Sequence, residues 1–265
     1  MPRPVVFAVA AHPDDIELMM AGTLLMLGRA GCELHYLNVC NGSMGTAEHS
    51  RDRIIAMRTE EAREAARIIG ATFHPPVVDD LDLYYDRAMP RKIGAIIRAI
   101  RPEIMLVQSP QDYMEDHMNA CRAAVTAAFC RGMRNFLSEP PLPPVDGDVT
   151  LYHALPWGLR DPLRRVIRAG QYVDISPVLA TKRAALAAHR SQKEWLDRSQ
   201  GLDSYLITME EMAKQVGTLS RSFTHAEGWR RHLHLGFCAE KADPLSDVLG
   251  NSTVTDRDYE DALDR

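Results

Sequence analysis

Cysteine is scarce in this sequence: five in 265 residues, at Cys32, Cys40, Cys121, Cys130 and Cys238, with no C-x-x-C pair. An odd, scattered set excludes a disulfide framework and a cysteine-rich zinc module. It points to reduced thiols acting as small buried apolar residues in a cytoplasmic protein. Positive charge is in short supply as well. With a net charge of −5 and a pI near 6.1, the chain has no basic field to hold nucleic acid. No apolar run approaches the roughly 20 residues that a membrane-spanning helix requires. The run at residues 5–11 is too short for a signal peptide and leads directly into Asp14 and Asp15. Internal repeats and low-complexity tracts are absent. So is a G-x-G-x-x-G after the first apolar run, which argues against a dinucleotide-binding protein.

What is present is an alternation of two periods. Residues 4–11 (PVVFAVAA) form a continuous apolar run of the kind buried on both faces of a parallel sheet. Residues 16–30 then carry apolar side chains at helical spacing, with Gly31 as C-cap and Asp14 or Asp15 as N-cap. Residues 33–40 read as a strand, 41–53 as a polar loop and 54–69 as a helix closed by Gly70. A short strand and loop follow at 71–86, then a helix at 90–100 and a strand at 104–108. Asp116 is the expected cap of a helix from 117 to about 131. This order predicts an α/β, Rossmann-like three-layer fold with a mostly parallel sheet.

The proline-rich stretch 140–147 separates a core (1–139) from a smaller C-terminal extension (about 148–265) within a single domain. Strands at 149–155 and 171–175, a long helix from 177 to about 198, another at 209–220 and a fraying tail after Gly250 complete the expectation.

Open parallel sheets bind ligands beyond the carboxyl ends of their strands. His12, Asp14 and Asp15 follow the first strand, and Asp112, Asp116 and His117 follow the strand at 104–108. If those strands are neighbours, His12, Asp15 and His117 converge. Two imidazoles and a carboxylate suit Zn²⁺ with one position open to water, whose pKa the metal lowers to about 7. Fe²⁺ or another divalent ion suits the same donors. Asp14 diverges from its neighbour Asp15 and is free to act as general base. The plainer reading of these residues is a helix N-cap and a His-Pro turn.

The run Ala11-His12-Pro13-Asp14-Asp15-Ile16-Glu17 before a helix resembles the N-terminal motif of the PIG-L/LmbE-like zinc deacetylases. Those enzymes remove acetyl groups from N-acetylglucosamine-type amides. Further similarities lie at Val39-Cys40-Asn41-Gly42 through Gly45, at Arg58-x-x-Glu61 with Ala65 and Ile69-Gly70, and at Arg101-Pro102-Glu103-Ile104. A last one runs from Lys182 through His189-Arg190-Ser191-Gln192. The resemblance implies zinc on His12, Asp15 and His117, Asp14 as base and a small N-acetylated sugar or sugar conjugate as substrate. A homo-oligomer is the expected assembly. The alternatives are a zinc amidase on another N-acyl compound, or a metal-binding relative with weak or no catalysis.

One departure from the motif bears on mechanism. The family commonly has a histidine that stabilises the oxyanion or protonates the leaving amine, where this chain has Met114. Losing such a donor costs on the order of 10²–10³ in rate. Tyr113, His153 and His189 are the candidate substitutes. Arg58, with Arg53, is a candidate substrate ligand, against the alternative of an i,i+3 ion pair between Arg58 and Glu61. The loop carrying Glu48, His49 and Ser50 either closes over substrate or is simply solvated. Met19, Met20 and Met26 are expected in the core.

Overall fold

The computed structural model describes residues 3–193 and 204–263. At its centre β1 (Val5–Ala10) pairs in parallel with β2 (Glu33–Asn38) on one side and β4 (Ile104–Val107) on the other. β3 (Thr72–His74) extends the sheet beyond β2, and β5 (Thr150–Ala154) extends it in parallel beyond β4. Alternate side chains of β1 enter two different cores, which is why its apolar run is unbroken. Val6, Ala8 and Ala10 pack with Ala62, Ala66 and Ile69 of α3 (Arg51–Ile69). Phe7 and Val9 pack with Ile93 and Ile97 of α4 (Ala88–Ile100) and Ala120 and Ala124 of α5 (Glu115–Phe129). These are the three layers of the expected α/β fold. Because Val9 lies opposite Val107, the loops after β1 and β4 open on the same edge.

The C-terminal half holds the strand expected at 171–175 and two strands that the apolar pattern did not reveal. β6 (Gln171–Asp174), β7 (Ala226–Arg231) and β8 (Thr253–Thr255) complete a sheet ordered β3-β2-β1-β4-β5-β7-β6-β8 among the described residues, and all three pair antiparallel. The sequence of β7, AEGWRR, is too polar to read as a core strand. β8 lies in the tail expected to fray, where Arg257–Leu263 is also helical.

Two expected helices are broken, and each break is built. The helix read over 16–30 is α1 (Asp15–Met19) and α2 (Ala21–Arg29), separated at Met20 with φ −135. Glu227 of β7 reaches into the gap, its carboxylate accepting from the backbone N–H groups of Gly22 (2.8 Å) and Thr23 (2.7 Å) at the start of α2. A carboxylate there satisfies orphan donors and complements the helix dipole. The helix expected from 177 begins as a 3-10 turn at Ser176–Val178 and continues as α6 (Leu179–Ala187), then breaks at Ala188 and His189 before a helical segment from 190. Residues 194–198 of that expectation lie outside the described residues. The next helix, α7 (Ser204–Ser220), starts five residues before its expected position. No described helix is long and apolar enough to cross a membrane.

A buried carboxylate cluster at the edge of the parallel sheet

His12 and Asp15 leave the carboxyl end of β1, and His117 stands in the first turn of α5 just beyond β4. All three are buried, and one ligand atom from each lies within 4.8 Å of the other two. The turn that presents them is tightly tied: the Asp15 carboxylate accepts from the His12 backbone N–H at 2.7 Å, and Asn38 Nδ2 donates to the His12 carbonyl at 2.6 Å. Gln108, directly after β4, accepts from Ala11 N–H at 2.8 Å and locks the two loops together.

Each imidazole has a carboxylate behind it. His117 turns Nε2 toward Asp15 Oδ1 (3.4 Å) while its Nδ1 is 2.9 Å from Asp112 Oδ1. His12 turns Nδ1 toward Asp15 Oδ2 (3.5 Å) while its Nε2 is 3.0 Å from Asp116 Oδ2. Asp116 also accepts from Leu81 N–H, so it orients a ring and is not the helix cap the sequence suggests; Met114 occupies the N-cap position of α5. Such backing carboxylates fix the tautomer and leave the other ring nitrogen free as a ligand. Burial opposes the charge on His12, but Asp116 and Asp15 outweigh it and raise its pKa to about 10. Burial opposes the charge on His117 too, and there Asp15 and Asp112 prevail. Asp15, although buried, is held well below the carboxylate range by His117 and His12. The field at this point attracts positive charge, and these donors fit a divalent cation. A second group, His12, Cys40 and Asp116, is a poorer one, because burial drives the Cys40 thiol far up and leaves it protonated.

Asp14 sits beside the cluster with φ 110, an unusual conformation for a non-glycine residue. Its carboxylate accepts from the Tyr205 hydroxyl of α7 at 2.7 Å and lies 3.5 Å from Arg58 Nη2. The same Arg58 nitrogen donates to the Pro13 carbonyl at 2.6 Å, holding the turn from beneath. Arg58 is therefore no ion-pair partner of Glu61, which accepts instead from Ser191. Burial raises the pKa of Asp14 against the pull of Arg58.

A cleft of about 410 Å³ opens over these groups. Asp14, Asp15, His12, His117, Arg58, Tyr113 and Met114 all line it, so the structure brings together the proposed metal ligands, the proposed base and two of the other candidates. His153 does not line it. It is buried, its Nδ1 3.1 Å from the Gln108 carbonyl and its Nε2 2.9 Å from His232 Nδ1. His189 does not line the cleft either; it is fully buried, with Nε2 3.2 Å from Glu17 Oε2. Of the three substitutes for the missing histidine, Tyr113 alone reaches the cleft. Arg53 and the 48–50 segment are exposed outside it. Met20 is fully buried, while Met19 lines the cleft. Tyr205 and Asp80 carried no sequence signal, since their partners are distant in the chain; Gln108, at a strand end, did.

Burial gives His153 a consequence for stability. Its pKa falls from 6.5 to about 3 because burial, helped by the neighbouring His232 and Arg230, disfavours the charged ring. The folded pKa lies below the unfolded one, so the stabilisation is complete above pH 6.5 and is lost as pH falls from there toward 3. From pH 7 to pH 5 this one group should cost about 2 kcal/mol. Urea unfolding at both pH values, on the protein and on His153→Gln, checks it: the variant should lose less.

Comparison with known proteins bears on the whole site. The family model described as "PIG-L: GlcNAc-PI de-N-acetylase" matches residues 7–129. The uncharacterised deacetylase YaiS of Escherichia coli is 32% identical over 142 residues, covering 51% of this chain and 72% of that protein. The chain belongs to the PIG-L family. Another relative is the diacetylchitobiose deacetylase of Thermococcus kodakarensis, 29% identical over 197 residues, 71% of this chain and 69% of that one. The PIG-L fold also carries other chemistry. GalB of Pseudomonas putida, a 4-carboxy-2-hydroxymuconate hydratase, superposes with a TM-score of 0.72 at 21% identity, over 86% of this chain and 95% of its own.

Proposed function

We propose that this protein is a zinc-dependent N-deacetylase acting on an N-acetylglucosamine-type sugar or sugar conjugate, its chain working as one domain. The observation that carries the reading is the buried His12, Asp15 and His117 cluster with Asp14 beside it at the floor of an open cleft. The deacetylases among its relatives support the reaction class.

His12, Asp15 and His117 would hold the ion, with Asp116 and Asp112 orienting the two rings. When bound, the metal supplies Lewis-acid polarisation of a carbonyl and an acidified water. Asp14 takes the proton of the attacking water, and the Tyr205 hydroxyl and Arg58 keep its carboxylate aimed at the cleft. Met114 can neither donate nor carry charge, so donation toward the carbonyl oxygen or departing amine falls to Tyr113, whose ring packs edge-on against His117 at 5.5 Å.

A hydratase reaction like that of GalB is the second reading, and the charge of the cleft weighs against it. Asp14, Asp15, Asp80 and Asp112 line the site, and the one arginine or lysine among its described lining residues, Arg58, is engaged by Pro13 and Asp14. A neutral amide suits that field better than a substrate with several carboxylates. Acetate release should be measured on N-acetylglucosamine, diacetylchitobiose and a set of N-acyl amines, with zinc and with chelator. Chelator-sensitive release from the amino sugars is expected. Zinc binding without turnover of any amide would defeat the reading.

A further inference from the structure

The chain carries a net charge of −5, yet one exposed loop is strongly basic. Residues 160–168 set Arg160, Arg164, Arg165 and Arg168 against the single carboxylate of Asp161, a local charge of +3. All four arginines are exposed, and among the described residues none of them forms an ion pair. The loop is a tied hairpin. Arg160 and Val166 pair across it, and Asp161 N–H donates to the Arg165 carbonyl at 2.9 Å. The Asp161 carboxylate accepts from Leu163 N–H (2.9 Å) and Arg165 N–H (2.8 Å). At its stem Leu159 and Ile167 pack with Met212 and Val216 of α7. The hairpin therefore holds Leu163 and Val166 out in water, 75% and 50% exposed. Arg164 has φ 71, a conformation that glycine or asparagine would adopt at less cost.

The opposite charge stands next to it. Asp256 and the terminal helix Arg257–Leu263 set Asp256, Asp258, Glu260 and Asp261 against Arg257, a local charge of −3. The helix ends in Leu263, 63% exposed. The chain leaving the hairpin through Arg168 runs against this segment. Asp256 N–H donates to the Gly170 carbonyl at 2.8 Å, and a Cβ on Gly170 would meet Tyr259 and Glu260 at 2.7 Å. The two patches do not neutralise each other. Among the described residues no ion pair joins hairpin to helix, and Asp258 lies 3.6 Å from Arg221 instead.

We propose that this dipolar surface is a twofold interface between two copies of the chain, the hairpin of each docking against the terminal helix of the other. In an isologous contact, a surface that is basic on one side and acidic on the other meets its complement twice. Leu163 and Val166 then cover the exposed leucine at the end of the facing helix, which takes the apolar tips out of water. An anionic membrane or an acidic protein seated on the hairpin would face the carboxylates of the neighbouring helix. A second copy brings both signs in matching order. The interface stands apart from the deacetylase reading, since none of these residues lines the cleft.

Sedimentation equilibrium of the protein reads the interface. A dimer is expected, with a Kd that rises about tenfold or more between about 0.1 M and 1 M salt, as the screening length falls from about 10 Å to 3 Å. Arg164→Glu with Arg165→Glu, and separately Asp258→Lys with Asp261→Lys, place like charges opposite each other. Each pair should raise Kd by about a hundredfold or more. All four positions are exposed, and circular dichroism with urea unfolding checks that both variants fold. An equimolar mixture of the two variants should associate about as tightly as the parent, because each hairpin again faces a helix of opposite sign. A monomeric parent, a dimer that neither reversal weakens, or variants that stay apart when mixed overturns the proposal. Binding of the parent to phosphatidylserine vesicles as a monomer, lost in Arg164→Glu with Arg165→Glu, overturns it in favour of a membrane surface.

Discussion

Asp14→Asn is expected to lower kcat by roughly 10²–10⁴-fold while metal content and fold are retained. The substitution removes the proposed proton acceptor and little else. Asparagine enters the left-handed backbone region more readily than most residues, so the turn at φ 110 keeps its shape. Its side-chain oxygen still accepts from the Tyr205 hydroxyl, and Arg58 still holds the Pro13 carbonyl. His12 and Asp15 on either side are untouched. Steady-state kinetics beside elemental analysis separates the two roles of this turn. A variant within tenfold of the parent, with full metal, would remove Asp14 from the chemistry.

Lys182→Met is expected to destabilise the protein by roughly 3–5 kcal/mol, the cost of leaving a buried charge without its partner. Lys182 is 1% exposed, and its ammonium donates to Glu227 Oε1 at 2.6 Å and to the Leu18 carbonyl at 3.0 Å. Glu227 in turn caps the broken start of α2. The lysine thus closes a link from α6 through β7 to the helix pair that carries the Asp14-Asp15 turn. Urea unfolding measures the loss, and Lys182→Met combined with Glu227→Gln should recover part of it by removing the orphaned carboxylate. A single variant as stable as the parent would show that the pair is not stabilising.

The features legible in the sequence are those set by local pattern. The Val-rich run of β1, the glycine ends of α2 and α3 and the strand before Gln108 follow from period and turn chemistry. Their adjacency in the sheet then brings His12, Asp15 and His117 to one edge. What was not legible depends on partners far away in sequence. Glu17 and His189 face each other in the interior, 3.2 Å apart, and nothing near either residue announces it. The break at Met20 exists because Glu227 arrives from β7, a strand whose own polar residues disguise it. His153 read as a possible site residue because it stands on a strand next to the catalytic edge. Its ring is instead committed to His232 and the Gln108 carbonyl, and it does not line the cleft. Met114 was legible as a departure from the family motif, and of the three candidate substitutes Tyr113 is the one that lines the cleft.

The metal assignment is the claim on which the rest depends, and elemental analysis of the protein beside His117→Ala tests it most directly. His117 is one of the three proposed ligands, and truncating it leaves Asp112 and Asp15 without the ring between them. The account predicts stoichiometric zinc in the parent and its loss from the variant after dialysis against a weak chelator, with acetate release lost in parallel. Full zinc retention by a folded His117→Ala would contradict the ligand set.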